Sequence, residues 1–476
     1  MNKLWNLIFG KNESVKHARN YMMGQIVNKG LGFFLMPITT ALMTTADYGT
    51  NSIFTSLVNI FVIIMPLCLY RGVTRFHYDK QYDTKEILGK QFLLMMITMT
   101  ILGIFMGITL QLWNGLTGMT YYLTILMLLH SYAQSIINFY LAYLQSRKAS
   151  AKYAFLNVLL ALFTTLLGIY WMMQMDYDRF FGLIYANLLC RFLFAVYGIF
   201  DMWKDMKFVH NQAMTQEVWR FCLPLIPHMI SGVILNYVDR LMISNMVGMS
   251  AAGLYSFAYN FGFIVNIVVY AINQTWGPEF FELMNHKNYK VIGSRLMNYQ
   301  NALLSVTALI VFFAREVTII MANPKYHSAV ELIPMICYGY VLFHLYSTLS
   351  NYGTYYKKTG FLAVVSAIAA LFNIVTNYIG ILYFGYQAAA FTTALSYLVQ
   401  YFLYELGNRY IMKCEMHNLH YFLVKTLAFC IGTQLLILGI HALHLNLWIT
   451  IGIKGLVSLA VLYLIWQGSD RYELHS

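Results

Sequence analysis

Charged side chains are scarce in this sequence. Asp, Glu, Lys and Arg together make up 11% of its 476 residues, whereas a soluble domain carries roughly 25%. Hydrophobic residues make up 59%, which is more apolar side chain than one globular core can hide. The composition excludes an ordinary soluble domain and favours a membrane protein.

Signatures of catalysis and cofactor binding are also missing. The six cysteines form no C-x-x-C pair, so the sequence supports neither disulfides nor a zinc site. The phosphate loop G-x-x-x-x-G-K-[ST] is absent, which argues against direct ATP drive by this chain. The stretches between apolar runs are too short for a soluble catalytic domain. We therefore expect no enzyme activity, no metal and no cofactor.

The chain instead consists of apolar runs near the ~20 residues that a helix needs to cross a bilayer. These runs predict an all-α polytopic membrane protein with about fourteen transmembrane helices. The predicted spans are 20–43, 51–70, 87–111, 120–144, 153–173, 180–200, 218–243, 251–275, 292–321, 329–352, 361–383, 386–407, 419–441 and 446–467.

Lysine and arginine predict the orientation of these spans, because cytoplasmic loops accumulate basic residues. With the amino end inside, the outer segments carry only Arg179 and Lys325, and the inner segments carry all other basic residues outside the spans. Both termini are therefore expected in the cytoplasm. The formal net charge of +12 mostly reflects this topology. Since the charges form no continuous stripe, nucleic acid is not an expected partner.

Two pairs of matching segments indicate an internal repeat. Ala46–Gly49 aligns with Ala251–Gly253 at an offset of about 204 residues, and Gly182 aligns with Gly385 at almost the same offset. Two six-helix halves with the same in-out sense are typical of secondary transporters. The predicted organisation is a cytoplasmic amphipathic segment at 1–19, halves at 20–200 and 218–408, a cytoplasmic linker at 201–217, and two extra helices with a cytoplasmic tail at 409–476.

Polar residues at helical spacing interrupt several spans. His130 and Gln134 belong to such a stripe in the fourth span, and Ser347 belongs to one in the tenth. Any one stripe is explained equally well by hydrogen bonds between packed helices. Stripes in both halves together predict a water-filled cleft between the halves, because unpaired polar groups are not tolerated against lipid.

Ionisable residues inside the spans are the sharper signal, since each costs ~2.5–3.5 kcal/mol at mid-bilayer on insertion scales. Lys29 and Arg191 have no acid in their own spans, which suggests an anionic cargo such as a diphosphate or an acidic sugar. Asp239 and Arg240 are explained equally well by a structural ion pair. The predicted substrate-binding residues are Gln25, Lys29, Arg191, Asn236, Arg240 and Asn273, and the candidate ion carriers are Asp239 and Glu405.

Three other charged positions in the spans favour a structural explanation. Lys425 and Lys454 are expected to snorkel or to line the two extra helices. Arg315 and Glu316 are expected near the outer interface of a long span.

The stretch 219–282 carries an ordered set of motifs, Leu223-Pro-Leu-Ile-Pro227, then Asp239-Arg240, then Gly253-Leu-Tyr-Ser-Phe-Ala-Tyr259, with the helix expected to stop at Pro278. This order resembles the seventh and eighth spans of the Wzx-type polysaccharide biosynthesis transporters. They belong to a superfamily that also contains the MATE exporters and the lipid II flippases. A second similar stretch is 352–404.

The resemblance implies a flippase of the bacterial cytoplasmic membrane. Its cargo would be an undecaprenyl-diphosphate-linked oligosaccharide unit, moved by alternating access for O-antigen, capsule or exopolysaccharide synthesis. The implied partners are this lipid-linked oligosaccharide, membrane lipids, and polymerase and chain-length proteins of the same pathway. One alternative is a MATE-like multidrug/proton antiporter, which would favour acids in the amino-terminal cleft. The other is a membrane polysaccharide polymerase or ligase, which would need one large outer loop.

Overall fold

The computed structural model describes residues 20, 27, 30–77, 82–413, 419–443 and 446–475. Within these residues the chain forms α-helices and one 3-10 helix, and no strand. The predicted site residues Gln25 and Lys29, and the predicted segment 1–19, lie outside the described residues. The helices are α1 (Met36–Leu42), α2 (Thr45–Ile64), α3 (Leu69–His77), α4 (Thr84–Ile108), α5 (Leu110–Thr117), α6 (Tyr121–Ser146), α7 (Ser150–Gln174), α8 (Phe180–Trp203), α9 (Gln212–Cys222), α10 (Leu225–Met246), α11 (Met249–Asn285), α12 (Tyr289–Met321), the 3-10 helix Pro324–Leu332, α13 (Ile333–Tyr355), α14 (Thr359–Phe384), α15 (Ala388–Tyr410), α16 (Leu419–Ala442) and α17 (Leu447–His475).

The helical membrane architecture is confirmed. In the described part of the chain, eleven helices are long and apolar enough to cross a membrane, or twelve if one bent pair is a single span. The predicted first span, 20–43, lies partly outside the described residues. The predicted span 386–407 forms α15, which is not among these eleven helices because it carries more polar residues. Several of these polar side chains are buried, among them Thr393, Ser396, Gln400 and Asn408.

The predicted span 51–70 is broken rather than straight. It forms the end of α2 and the start of α3, which are bent by 53° at residues 65–68. Pro66 lies in this break, and a proline both lacks an N–H donor and clashes with the preceding helical turn. Leu67 and Cys68 then adopt positive φ angles of 48° and 59°. The part of the span after Pro66 therefore turns away from the axis of α2.

The helix expected to stop at Pro278 instead continues to Asn285, so that prediction is wrong. Trp276 is fully buried, and its ring packs on Phe280 at 5.5 Å and on Tyr299 at 6.0 Å between ring centroids. The continuous helix α11 thus holds Pro278 between Trp276 and Phe280, whose rings pack on each other.

The helices form two compact units, Met1–Gly253 and Leu254–Ser476. In the first unit, α2 packs on α6, α8 and α10, and α8 packs on α6 and α7. In the second unit, α13 and α14 pack on α15, and α12 packs on α16 and α17. The boundary between the units lies within α11, whereas the predicted second half begins at 218. The division into two six-helix halves joined by a linker at 201–217 therefore remains a prediction.

A close contact within the first unit fits the predicted repeat. A Cβ atom on Gly49 of α2 would stand 2.0 Å from the carbonyl oxygen of Met249, and a Cβ atom on Gly253 of α11 would stand 1.9 Å from that of Thr45. The offset of about 204 residues relates Thr45 to Met249 and Gly49 to Gly253. Equivalent positions of the two predicted repeats thus contact each other, and a glycine lies at each point of close contact.

Candidate functional site: a cationic cavity in the first unit

A polar cavity of about 250 Å³ lies among α2, α6 and α8. Its polar lining residues recur four positions apart on each helix, and this spacing places them on one face. The spacing also explains why each helix presents a polar face here and an apolar face elsewhere. The polar lining residues are Asn51, Thr55 and Asn59 of α2, His130 and Gln134 of α6, and Asn187 and Arg191 of α8.

Arg191 supplies the positive charge of this cavity. One guanidinium NH2 group donates a hydrogen bond to the side-chain oxygen of Gln134, and the other donates to Asn187 Oδ1 at 3.3 Å. The amide nitrogen of Gln134 donates to Asn138 Oδ1 at 2.8 Å, which turns the Gln134 oxygen toward the arginine. In the part of the chain that the structure describes, Arg191 Nε has no partner and no carboxylate pairs with the guanidinium.

His130 is a second unsatisfied group in the cavity. Its side chain is buried, and its ring packs edge-on against Phe54 with 5.6 Å between centroids. Among the described residues its Nδ1 atom has no hydrogen-bond partner. A buried polar atom without a partner costs about 1–3 kcal/mol, so a ligand or a water molecule in the cavity would stabilise this arrangement.

The predicted pair Asp239 and Arg240 lies elsewhere in the first unit and is buried. Arg240 NH1 is 3.7 Å from Asp239 Oδ1, with side chains 3% and 1% exposed. The Arg240 guanidinium also donates to the carbonyl oxygen of Asn236, one turn earlier on α10. The Asn236 side chain donates to the carbonyl oxygen of Gly232 at 2.6 Å. These contacts fit a structural ion pair, which was one of the two predicted explanations.

Comparison with known families decides where the chain belongs. The family described as "Polysaccharide biosynthesis protein" matches residues 14–284, more than half of the chain. This chain belongs to that family. A relative, "Lsg locus putative protein 1" of Haemophilus influenzae, is 24% identical over 371 residues, which cover 74% of this chain and 87% of the relative.

Solved structures establish the fold of this polysaccharide biosynthesis protein. The lipid II flippase MurJ in an inward closed conformation aligns with a TM-score of 0.71 and 13% identity, over 95% of this chain and 98% of that one. A multidrug resistance MATE family transporter of the MOP superfamily, in an inward-facing conformation, aligns with a TM-score of 0.66 and 11% identity, over 83% and 96%. The protein is therefore a multi-pass membrane protein with a MurJ/MATE-like transporter fold, and family and fold point away from an enzyme.

Two predicted site residues of the polysaccharide biosynthesis protein lie in its second unit. Asn273 Oδ1 accepts a hydrogen bond from Ser347 at 3.3 Å, so the predicted stripe of the tenth span lies against α11. The Glu405 carboxylate is 3.4 Å from Nε2 of His420. Neither residue belongs to the cavity around Arg191, and their predicted roles stay predictions.

Lys454 and Glu316 are paired inside the second unit of this family member. Their side chains are 1% and 5% exposed and form an ion pair of 2.7 Å between α17 and α12. Lys454 therefore lines the two extra helices, which was one of its two expected placements, and does not snorkel. The expected position of Arg315 and Glu316 near the outer interface stays a prediction. Lys425 also turns inward, donating to Asn301 Oδ1 at 2.6 Å and to the carbonyl oxygen of Ile465 at 3.1 Å. Helix packing in the second unit thus gives both lysines partners inside the protein.

The sequence signal for the cavity was incomplete. Arg191 was found because a charge inside an apolar span is costly. Asn51, Thr55, Asn59 and Asn187 were missed, although Asn51, Thr55 and Asn59 recur at i, i+4 and i+8. That regular spacing was the signal that could have identified α2 as the facing wall.

Proposed function

We propose that this protein is a flippase that moves an undecaprenyl-diphosphate-linked oligosaccharide unit across the bacterial cytoplasmic membrane by alternating access. Membership of the polysaccharide biosynthesis family and the MurJ/MATE-like fold support transport as the class of function. The observation that carries the substrate proposal is the state of Arg191, a half-buried guanidinium hydrogen-bonded to neutral amides rather than to a carboxylate.

The physical argument starts from the charge of Arg191. A cation held inside membrane-spanning helices is expensive unless an anion or water compensates it. Two amide oxygens reduce this cost but leave the full positive charge in place. A guanidinium binds phosphate or carboxylate through paired hydrogen bonds. An anionic headgroup entering the cavity would therefore gain a strong partner and satisfy the free Nε donor.

The rest of the lining suits an oligosaccharide. Amide, hydroxyl and imidazole groups from three helices surround the cation, and each is able to exchange hydrogen bonds with sugar hydroxyls. The undecaprenyl chain would stay in the bilayer while the polar headgroup passes through the protein. In alternating access, the site opens in turn to each side of the membrane.

The alternatives fit these residues less well. A site for cationic drugs needs a negative charge, and the described lining of this cavity holds a cation and no acid. A polymerase or ligase needs a large outer loop, and the connections between the described helices are short. For ion coupling we keep Asp239 and Glu405 as proposed carriers, because each carboxylate contacts a basic side chain.

A complementation experiment tests the proposal. In the producing bacterium, deletion of this protein should trap lipid-linked oligosaccharide on the inner leaflet and stop polymer export. The variants Lys29→Ala and Arg191→Ala should fail to restore export while reaching the membrane in normal amounts. Arg191→Lys keeps the charge but loses the planar fork, so it should restore export only partly.

Lys204→Gln is the matched control, because Lys204 lies just after α8 and does not line the cavity. It should restore export fully. Normal export by both Lys29→Ala and Arg191→Ala would refute the anionic site. Unpolymerised units on the outer leaflet of the deletion strain would indicate a polymerase instead.

A further inference from the structure

A second polar cavity, of about 150 Å³, lies at the C-terminal end of α6, next to the end of α3 and the start of α4. This end of α6 is predicted to face the cytoplasm. It is separate from the cavity around Arg191 and shares no lining residue with it. At about 30 Å³ per water in the liquid, this volume corresponds to roughly five waters. The polar residues used below are Thr84, Lys85, Gln91, Tyr143, Arg147 and Asp205.

Gln91 is the residue of this cavity that most strongly indicates a ligand. Its side chain is fully buried and lines the cavity. Among the described residues, neither its amide nitrogen nor its amide oxygen has a hydrogen-bond partner. Leaving a buried donor and a buried acceptor unmet is unfavourable. An occupant of the cavity with hydrogen-bonding oxygens would satisfy the amide.

The charges at the mouth of this cavity leave a positive excess. Lys85 Nζ is 3.5 Å from Asp205 Oδ1, and the Arg147 guanidinium contacts the other oxygen of the same carboxylate. Tyr143 donates to Asp205 as well, at 2.6 Å. Two cations therefore share one carboxylate. Both are about half exposed, at 53% and 49%, so they remain accessible to a second anion.

The start of α4 forms one wall of the cavity. Thr84 and Lys85 belong to the first turn of this 25-residue helix and line the cavity. The carboxylate of the N-cap residue Asp83 accepts a hydrogen bond from the Lys85 N–H at 3.0 Å, so this helix end is already capped. The first-turn acid Glu86 is paired with Lys207 at 2.6 Å. The attraction for an anion therefore rests on the side chains of Lys85 and Arg147.

We propose that this inner cavity binds the phosphate group of a membrane lipid, with Lys85 and Arg147 at its mouth and the Gln91 amide at its base. The phosphate could belong to an anionic phospholipid of the inner leaflet or to a prenyl phosphate such as the headgroup of the proposed cargo. The site depends on the predicted inward orientation of these loops and not on transport itself.

The test measures lipid-dependent thermal stability of the purified full-length protein in detergent. Dioleoylphosphatidylglycerol, undecaprenyl phosphate and inorganic phosphate are titrated separately. Dioleoylglycerol serves as the control lipid, since it has the same chains as the phospholipid without the phosphate. A ligand that binds only the folded state raises the melting temperature in proportion to its occupancy. At least one phosphate-bearing lipid should stabilise the protein, and dioleoylglycerol should not.

The variants separate ligand binding from a structural role. Gln91→Leu removes the unmet amide, so the lipid-free protein should melt at the same or a higher temperature while its apparent affinity for the phosphate lipid falls roughly tenfold. Arg147→Gln should weaken binding to a similar extent. Lys85→Gln provides a second charge variant if Arg147→Gln does not fold. Lys148→Gln is the matched control, because Lys148 is exposed next to Arg147 and does not line the cavity; it should bind the phosphate lipid as wild type does.

The pattern of ligands identifies the source of the phosphate. Stronger stabilisation by undecaprenyl phosphate than by the phospholipid would assign the site to prenyl phosphates, and equal stabilisation would assign it to lipid headgroups in general. The proposal is overturned if no phosphate compound stabilises more than dioleoylglycerol. It is also overturned if wild type, Gln91→Leu and both charge variants respond alike. Neither result would bear on the flippase assay with Arg191.

Discussion

At the scale of single residues, charge placement in apolar helices carries most of the functional information. Arg191 was predicted from the sequence because no acid shares its span, and the structure places it in a polar cavity. The partner of Lys454 was missed because Glu316 is 138 positions away in the sequence. Local spacing identifies which charges need compensation, but only the packing of distant helices determines which charge compensates which.

The buried pair of Lys454 and Glu316 leads to a prediction about stability. Glu316→Gln or Lys454→Met alone leaves one buried charge unpaired, which costs about 3–5 kcal/mol. The melting temperature of the purified protein should fall clearly for either single variant. The double variant Glu316→Leu with Lys454→Met should recover most of the loss, because an apolar pair of similar volume replaces the ion pair. A double variant that melts as low as the singles would contradict this account.

At the scale of helices, the breaks and crossings depend on proline and glycine. Pro66 breaks the second predicted span, as a proline in a helix can, although hydropathy alone predicted a continuous helix there. Pro278 lies inside the continuous helix α11, where Trp276 packs on Phe280. The same residue type thus had opposite effects, and the hydropathy around each proline did not distinguish them.

The crossing of Gly49 and Gly253 predicts a strong effect of one methyl group. Gly253→Ala would place a Cβ atom 1.9 Å from the Thr45 carbonyl oxygen, so the two helices must move apart. Such overpacking costs about 1–3 kcal/mol. Export by the variant and its melting temperature should both fall. Gly107→Ala on α4 is the control, because no atom lies within 4 Å of its added Cβ, and it should be neutral or slightly stabilising.

The cluster of Tyr143, Arg147 and Asp205 at the C-terminal end of α6 predicts a pH dependence of stability. Hydrogen bonding from Tyr143, aided by the charges of Arg147 and Lys85, lowers the pKa of the Asp205 carboxyl. The stabilisation from this lowered pKa is complete above the unfolded pKa of about 3.9 and is lost as the pH falls through the lower folded-state pKa. The melting temperature of Asp205→Asn should lie below wild type at neutral pH, and the gap should narrow in acid. A gap that stays constant down to pH 3 would contradict this assignment.

At the scale of the whole molecule, the long apolar runs were sufficient to predict an all-helical membrane protein, because a helix of about 20 apolar residues crosses a bilayer with its backbone groups satisfied within the helix. Nearly all predicted spans in the described residues correspond to helices of the structure. The boundary between the compact units was not predictable in this way. It depends on α9 and α10 packing against helices of the first unit, which the repeat pattern alone does not specify.

The predicted topology is checked by cysteine labelling in intact cells. In a background without native cysteines, Asp176→Cys lies in the exposed connection between α7 and α8 and should react with a membrane-impermeant maleimide added outside. Lys204→Cys, at the other end of α8, should react only after the membrane is opened. Both side chains are exposed in the structure, so access to the reagent decides the result. The reverse pattern would invert the assigned orientation.

The most direct test of the central claim is flipping by the purified protein in liposomes. The lipid-linked oligosaccharide from the producing bacterium is incorporated, and membrane-impermeant periodate measures the fraction of sugar exposed outside over time. Wild type should make nearly all of the sugar reactive. Liposomes with Arg191→Gln should expose only the sugar already in the outer leaflet, as in protein-free liposomes. Equal exposure by wild type and Arg191→Gln, or no exposure beyond the protein-free level by wild type, would contradict the account.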